Sequence, residues 1–335
     1  MCLLDMQFHY TNKGLLNTKL LFHFFALCMA TILITGGTGL VGSALTRALV
    51  AAGDDVIILT RGVKKQQERG VGFATWDPLT GKIDEASIMK ADHVVHLAGA
   101  NVAEKRWTAA RKKEIIDSRV ESGKLLARAI NAIANPVKSV VSASAIGYYG
   151  PDPAAADPRP FVEDDPPAND FLGTTSRNWE EAIASVTESG KRLVILRTGI
   201  VLSNYGGAYP EFKKTLPFRL ASIIGNGNQI VSWIHIDDLV GLYMRAIKDG
   251  GWQGAYNAVA PVLVTNKQLT LAIARSAKKV FIPVHVPSIV LKTLLGEMSV
   301  EVLKSTTVSS EKAQAGGYQF KFNTIEEAVK NLEPR

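Results

Sequence analysis

The chain has 335 residues, of which 47% are apolar and 21% charged, a globular composition long enough for one large domain or two smaller ones. Its net charge of +7 invites a nucleic-acid reading, but no nucleic-acid motif is present and aromatics do not interleave with a basic stripe, so no nucleic-acid partner is expected. The two cysteines, Cys2 and Cys28, lie in the first 28 residues, which excludes a disulfide framework or a cysteine metal site and fits a reducing compartment.

In residues 1–28, Lys13 and Lys19 precede the apolar patch Leu20 to Leu27. The patch is too short to span a bilayer, and no membrane partner is expected. The charge-then-apolar order fits a signal peptide. Against that, no small-x-small cleavage site comes after it, and a strand begins at once. The reading adopted is an N-terminal extension outside the fold, with Met29 as the natural start and a cytoplasmic protein.

Thr31 to Val50 organises the rest of the chain. Ile32, Leu33 and Ile34 form an apolar run short enough for a buried parallel strand. Next comes TGGTGLVG, with Gly36, Gly39 and Gly42 on a three-residue spacing. Leu40, Ala44, Leu45, Ala48 and Leu49 then recur at helical spacing. Strand, glycine turn and helix together open a dinucleotide-binding βαβ unit. The glycines allow a tight turn, close approach of backbone to a pyrophosphate, and close helix–strand packing. The helix mouth offers unpaired N–H groups and the positive end of its dipole. The expected contact residues are Thr35, Gly36, Gly37, Thr38, Gly39, Leu40, Val41 and Gly42.

A second strand spans Asp55 to Thr60. In NAD-binding folds its end usually carries a carboxylate for the ribose hydroxyls, about 20 residues past the glycines. Here it reads Thr60-Arg61-Gly62. A cation in that place suits the 2′-phosphate of NADP, so NADP is the expected cofactor, with Thr60 and Arg61 among its contacts. Lys64 and Lys65 either assist or are simply exposed, and the basic clusters Arg61 to Arg69 and Lys105 to Lys113 are solvated faces or phosphate contacts. Asp54 and Asp55, at the strand's other end, shape a turn.

Val71 to Trp76 and Ala91 to Leu97 read as the third and fourth strands. The latter ends in Leu97, Ala98 and Gly99, small enough for a cofactor to come close. His93 and His96 point to opposite faces of a strand and read as packing residues, so no metal site is expected. Trp107 to Asn131 is helical, and Val137 to Ser142 is a fifth strand running into Ser144, Tyr148 and Tyr149. Pro151 to Asp170 is a long surface loop with the look of a lid. A helix over Phe171 to Glu188 and a strand over Leu193 to Thr198 come next. Ser232 to Leu239 (SWIHIDDL) leads a helix through Ile247, and residues from Pro287 onward form a small helical unit. This alternation implies an α/β fold with a doubly wound parallel Rossmann sheet and a smaller C-terminal substrate region. The expected partition is an extension at 1–28, a cofactor domain at 29–205, an interleaved substrate region at 206–286 and a helical unit at 287–335.

TGGTGLVG resembles the TGxxGxxG fingerprint of extended short-chain dehydrogenases/reductases, and WIHIDDL resembles their YIHVDDL segment. LAGAN, KRWTAARKKEIIDSRV, SASAIGYYG, PFRL, SWIHIDDL and LLGEM together resemble the atypical, epimerase-like subfamily 39U, often described as NADP-binding nucleoside-diphosphate-sugar epimerase homologues. The resemblance spans about Met29 to Leu332. It implies catalysis by a serine, and by a tyrosine four residues before a lysine that lowers its pKa. Ser144 takes the serine position. Gly173 stands where the tyrosine belongs and Arg177 where the lysine belongs, and neither can replace its counterpart. Tyr149 and Tyr148 can supply a phenol from another direction or only pack the loop; Tyr149 is preferred because Gly150 leaves it room. Val231 stands where sugar-nucleotide epimerases place an arginine for the substrate pyrophosphate, which argues against a nucleotide sugar. The resemblance also implies Arg197 beside the nicotinamide and Arg119 near the site floor, the latter with an exposed ion pair as the alternative. His235 and Asp238 fix local structure. The functional expectation is an NADP(H)-dependent, epimerase-like oxidoreductase acting on a small carbonyl or alcohol. The alternative is an NADP(H)-binding redox sensor without turnover. A homodimer is the assembly left open.

Overall fold

The computed structural model describes residues 29–62, 69–154, 159–277 and 280–333. The readings made for residues 1–28, Lys64 and Lys65 lie outside these. In chain order the structure runs β1 (Thr31–Thr35), α1 (Leu40–Ala51), β2 (Asp55–Thr60), β3 (Val71–Asp77), β4 (Lys82–Ile83), α2 (Glu85–Lys90), β5 (His93–His96), α3 (Ala109–Ala132), β6 (Ser139–Ala145), α4 (Phe171–Ala184) and β7 (Arg192–Thr198). It continues through β8 (Ile200–Ser203), β9 (Gly206–Gly207), α5 (Ala208–Lys213), β10 (Leu220–Ile224), β11 (Ile230–Val231), β12 (Trp233–His235), α6 (Ile236–Lys248) and β13 (Gly254–Ala258). The last elements are β14 (Val264–Thr265), α7 (Asn266–Ser276), β15 (Ile282–Val286), α8 (Ser288–Leu295), α9 (Ser299–Leu303), α10 (Glu311–Ala315) and α11 (Ile325–Leu332).

The main sheet has eight strands in the order β13-β7-β6-β5-β1-β2-β3-β4. Every pairing in it is parallel except that of β4 with β3. Because side chains alternate across a strand, each central strand feeds two layers. Ile32 and Ile34 join Val56, Ile58 and Val141 under α1 and α6, against Leu45, Leu49, Leu239 and Tyr243. Leu33 joins Leu59, Val94 and Val140 on the other face, under α3, against Leu125, Leu126 and Ile130. This is the doubly wound Rossmann arrangement that the alternation implies. The strand order reverses at β1, which opens a crevice between the carboxyl ends of β1 and β5.

The partition by residue number is less clean than expected. The Rossmann sheet does not stop at residue 205: β13 completes its edge beside β7, and α6 packs on the same face as α1. Nor do residues 287–335 stand apart. Tyr318 and Phe320 pack on the α1/α6 layer, and Ile325, Val329 and Leu332 of α11 pack with Tyr209, Trp233, Leu269 and Ile273. Of the α-helices described in this stretch, α8 alone buries no residue. The loop expected to act as a lid is tied down. Phe161 donates its N–H to the Thr307 carbonyl at 2.7 Å, Ser309 donates back to the Phe161 carbonyl at 2.9 Å, and Asp152 accepts from both the amide and the hydroxyl of Thr307 at 2.6 Å. Among the described residues, no helix is long and apolar enough to cross a membrane.

The glycine turn is built by contact. Gly36 has φ 70°, and a Cβ there would stand 2.8 Å from the Leu97 carbonyl carbon. A Cβ on Gly42 would meet the Gly36 carbonyl oxygen. The turn is therefore pressed against the end of β5 and against its own helix. α1 begins at Gly39 with no capping side chain and no acidic residue in its first turn, so its N–H groups and dipole face the crevice. Replacing Gly36 by Ala adds a side chain where φ is positive and backbone is already in contact. Denaturant unfolding of G36A is expected to show a loss of more than about 1 kcal/mol.

Candidate functional site

The crevice is braced by one hydroxyl. Thr35, fully buried at the end of β1, accepts the N–H groups of Leu97 at 3.1 Å and Ala98 at 3.2 Å. Its oxygen also lies 2.8 Å from Nδ1 of His96, its register partner on β5. Since Thr35 already accepts two amides, its proton belongs to the imidazole, which leaves the His96 proton on Nε2, 3.4 Å from the Ser122 hydroxyl on α3. Thr35 thus acts behind the crevice wall, shaping it without reaching into it. His93, on the opposite face of β5, has its Nδ1 2.7 Å from the Ser139 hydroxyl. Asp54 accepts the Ala30 amide at 3.3 Å and pairs with Lys248 at 3.1 Å, a structural task at the sheet's far end.

The remaining expected cofactor residues lie at the mouth of α1 and at the carboxyl ends of β2 and β5. Thr38 and Gly39 are exposed at the mouth of α1, with Leu40 and Val41 half-buried behind them, while Gly37 is buried against Ile58. Thr60 is half-buried and Arg61 exposed at the carboxyl end of β2, which lies beside β1. On the other side, the crest after β5 runs from half-buried Leu97 and Ala98 to exposed Gly99.

Arg197 is not at this surface. It is 4% exposed, and its guanidinium grips Glu180 in a two-pronged ion pair, Nε to Oε1 and Nη2 to Oε2, both 2.9 Å. Nη1 donates to the Tyr149 hydroxyl at 2.9 Å and to the Glu163 carbonyl at 2.8 Å, and the Tyr148 ring lies 3.6 Å from Cζ. Burial opposes the charge on Arg197, and Glu180 more than restores it, so the group is held as a permanent cation. All of its hydrogen bonds turn inward. The position expected beside the nicotinamide is filled by a buried structural cation.

The three expected catalytic groups converge on that cation. Ser144 donates its hydroxyl to Glu180 at 2.6 Å. Tyr149 is 3% exposed, donates to Asn257 Oδ1 at 2.6 Å and lies stacked on Phe161, with ring centroids 5.1 Å apart. Burial pushes its phenol up to about 12, against the lowering influence of Arg197. The room expected beside Gly150 is taken: a Cβ there would be 2.7 Å from that of Ala168. Tyr148 is half-buried, and its phenol is raised by burial, with Arg197 opposing. Of the two tyrosines, Tyr148 is the more exposed. The tyrosine position of the short-chain pattern is closed sterically, since a side chain on Gly173 would strike the Ala168 carbonyl oxygen. Arg177 sits half-buried on α4, 3.9 Å from Glu181.

Sequence reading passed over Glu180, Asn257 and Glu163. Glu180 was within reach of helical arithmetic, since Ser176, Trp179, Glu180 and Ile183 share the inner face of α4. Asn257 carries no such signal. Its amide donates to Glu163 Oε1 at 2.8 Å and its side chain to the Ser309 carbonyl at 3.1 Å, joining segments far apart in the chain. His235 and Asp238 do fix local structure. His235 caps α6 through the Asp237 amide, and Asp238 accepts the amides of Lys321 and Phe322.

Residues 32–258 match the model of the NAD dependent epimerase/dehydratase family, and residues 286–332 match a domain of unknown function. The chain is 34% identical over 308 residues to the human epimerase family protein SDR39U1, covering 90% of this chain and 99% of that one. It is 33% identical over 301 residues to an epimerase family protein of Mycobacterium tuberculosis, covering 90% and 96%. The crystal structure of human SDR39U1 with NADPH superposes with a TM-score of 0.80 at 32% identity, covering 90% of this chain and 98% of that chain. A Thermus thermophilus UDP-glucose 4-epimerase solved with NAD has the same fold at 20% identity, with a TM-score of 0.71 over 90% and 97% of the two chains.

The bracing histidine has a consequence for stability. Burial, reinforced by the Arg119 charge, lowers His96 from 6.5 to about 4. Between those two values the unfolded chain binds a proton that the folded chain refuses, so stability falls as pH drops through that window and is insensitive to His96 above it. The loss is of the order of 3 kcal/mol. Denaturation of His96→Asn across the same window is expected to give a flatter pH profile than the unaltered protein.

Proposed function

Because the chain belongs to the NAD dependent epimerase/dehydratase family, we propose that it binds NADP(H) in the β1/β5 crevice and acts as an epimerase-like oxidoreductase on a small carbonyl or alcohol. The observation that carries this reading is the Gly36 turn, pressed against Leu97 with the uncapped mouth of α1 beside it. That is a cradle with backbone N–H groups exposed and no side chain in the way of a pyrophosphate. Gly36 to Gly42 would hold the pyrophosphate, Thr60 and Arg61 the 2′-phosphate, and Leu97 to Gly99 the wall along the nicotinamide half. When bound, NADPH supplies a hydride.

The chain's own groups handle the proton. With its hydrogen committed to Glu180, the Ser144 oxygen would serve a substrate as an acceptor, suited to hold an alcohol O–H. Tyr148 is the phenol left to donate to a carbonyl oxygen, since Tyr149 is enclosed between Phe161, Asn257 and Arg197. Val231 pairs with Val264 and Thr306 by backbone alone and offers no charge to a nucleotide-sugar pyrophosphate.

A second reading, a cofactor-holding sensor without turnover, draws on the same network. Gly173 has no room for a tyrosine, and the Ser144 hydroxyl already has a partner.

Two measurements separate these readings and check the cofactor assignment. Calorimetry with both cofactors should show Arg61→Asp weakening NADPH by roughly tenfold or more while sparing NADH, as expected for loss of a charge-assisted contact. Equal effects on both would reject the 2′-phosphate assignment. In a panel of carbonyl compounds followed by NADPH oxidation, Tyr148→Phe should cut kcat by roughly a hundredfold with NADPH affinity retained. Should tight NADPH binding come with no oxidation by any carbonyl, the sensor reading replaces the enzyme.

A further inference from the structure

One cation beside the crevice lacks a counter-charge. Arg119 projects from α3 beneath the crest that comes after β5. Its Nη1 donates to the carbonyl oxygens of Ala100 and Ile115, each at 3.0 Å. Among the described residues no carboxylate forms an ion pair with it, in contrast to Arg111, earlier on the same helix, which has Glu104 and Glu114. The exposed ion pair considered from the sequence is therefore not formed. Burial, and then repulsion from Arg111, pulls its guanidinium down to about 10, and no attractive charge opposes them. A largely buried guanidinium without a counter-charge is costly to keep.

The geometry around it is selective. With Nη1 occupied by two carbonyls, the edge formed by Nε and Nη2 remains, the side-on fork that matches the two oxygens of a carboxylate or phosphate. Gly99 packs over the guanidinium on its Nε side, where a Cβ would be 3.1 Å from Cζ, 3.2 Å from Cγ and 3.3 Å from Nε. Because residue 99 is glycine and exposed, it adds no side chain over the guanidinium, and any larger residue there would crowd it. The opposite boundary is the Trp179 ring, 4.8 Å from Cζ, whose buried Nε1 has no hydrogen-bond partner. Next to Trp179 in α4 is Glu180, the acceptor for Ser144. On the strands, His96 of β5 is in register with Ser142 of β6, so Gly99 and Ser144 both lie just past that level on neighbouring strands. Arg119 therefore sits on the Ser144 side of β1, away from Arg61.

We infer that Arg119 receives the anionic group of the substrate, so that the compound turned over is a carbonyl or alcohol that also bears a carboxylate or phosphate. This deepens the oxidoreductase reading above and rests on it. It also accounts for Val231: the charge that a nucleotide-sugar epimerase places on that strand is replaced by one on α3.

Full-length protein loaded with NADP+ would be titrated by calorimetry with oxamate, oxalate and inorganic phosphate, with tryptophan fluorescence in parallel because Trp179 touches Arg119. At least one of the three anions should bind. Arg119→Met should weaken that anion at least tenfold, and Arg119→Lys, which keeps the charge and loses the fork, should weaken it by a smaller factor. NADPH affinity should stay within about threefold in both. A preference among the probes separates carboxylate from phosphate chemistry. The inference fails if none of the anions binds the loaded protein, or if Arg119→Met binds them undiminished. It also fails if NADPH affinity falls in step with anion affinity, which would make Arg119 a cofactor or folding residue. Should Arg119→Met not fold, the Arg119→Lys series decides on the same criteria. If the unaltered protein does not take up NADPH at all, it is the functional proposal that falls instead.

Discussion

Everything at the candidate site hangs on how the carboxyl ends of β1 and β5 are joined. One buried threonine hydroxyl accepts two backbone amides of the adjoining crest and gives its proton to a neutral imidazole. That arrangement holds Leu97 against Gly36, and the contact in turn demands a residue without a Cβ and bends the chain into the mouth of α1. In an apolar interior such a network is stable only when each member is satisfied, so Thr35, His96 and Ser122 act as a unit. The crevice is thus prepared by polar groups that no ligand touches.

On the far side of β5 a second buried network forms around Arg197 and Glu180. Arg197 and Glu180 compensate each other's charge, and Ser144, Tyr149 and Glu163 satisfy the remaining hydrogen-bonding capacity. A buried ion pair of this kind adds little net stability but is strongly disruptive when halved. Its geometry ties the serine hydroxyl to Glu180 and encloses Tyr149 between Phe161, Asn257 and Arg197. The loop over Pro151 to Asp170, joined to the Ser305–Ser309 segment by backbone hydrogen bonds, supplies the Glu163 carbonyl that completes the network. A stretch that looks like a lid in the sequence is a wall.

Charge is unevenly compensated across the molecule, and the unevenness is informative. Arg111 and Arg197 are both nearly buried and both matched by carboxylates. Arg119 differs from both, with its hydrogen bonds confined to carbonyl oxygens. The same helix, α3, therefore carries one cation that belongs to the fold and one that is left for a ligand.

The local order of the chain alone determined the architecture. The apolar runs, the glycine spacing and the helical periodicities are short-range signals, and they placed β1, α1, β2, β5, β6, α4 and β7 within a few residues of their observed bounds, together with the glycine turn between β1 and α1. It also placed Arg61 at the end of β2. What only the tertiary structure decided was partnership. Whether Arg119 has a counter-ion, whether Arg197 faces a ligand or Glu180, whether Tyr148 or Tyr149 stays accessible, and whether residue 205 ends a domain all depend on contacts between residues tens to hundreds of positions apart. Such contacts arise from packing volume and hydrogen-bond satisfaction in three dimensions. A one-dimensional pattern records which groups must be buried, but not which of them will meet.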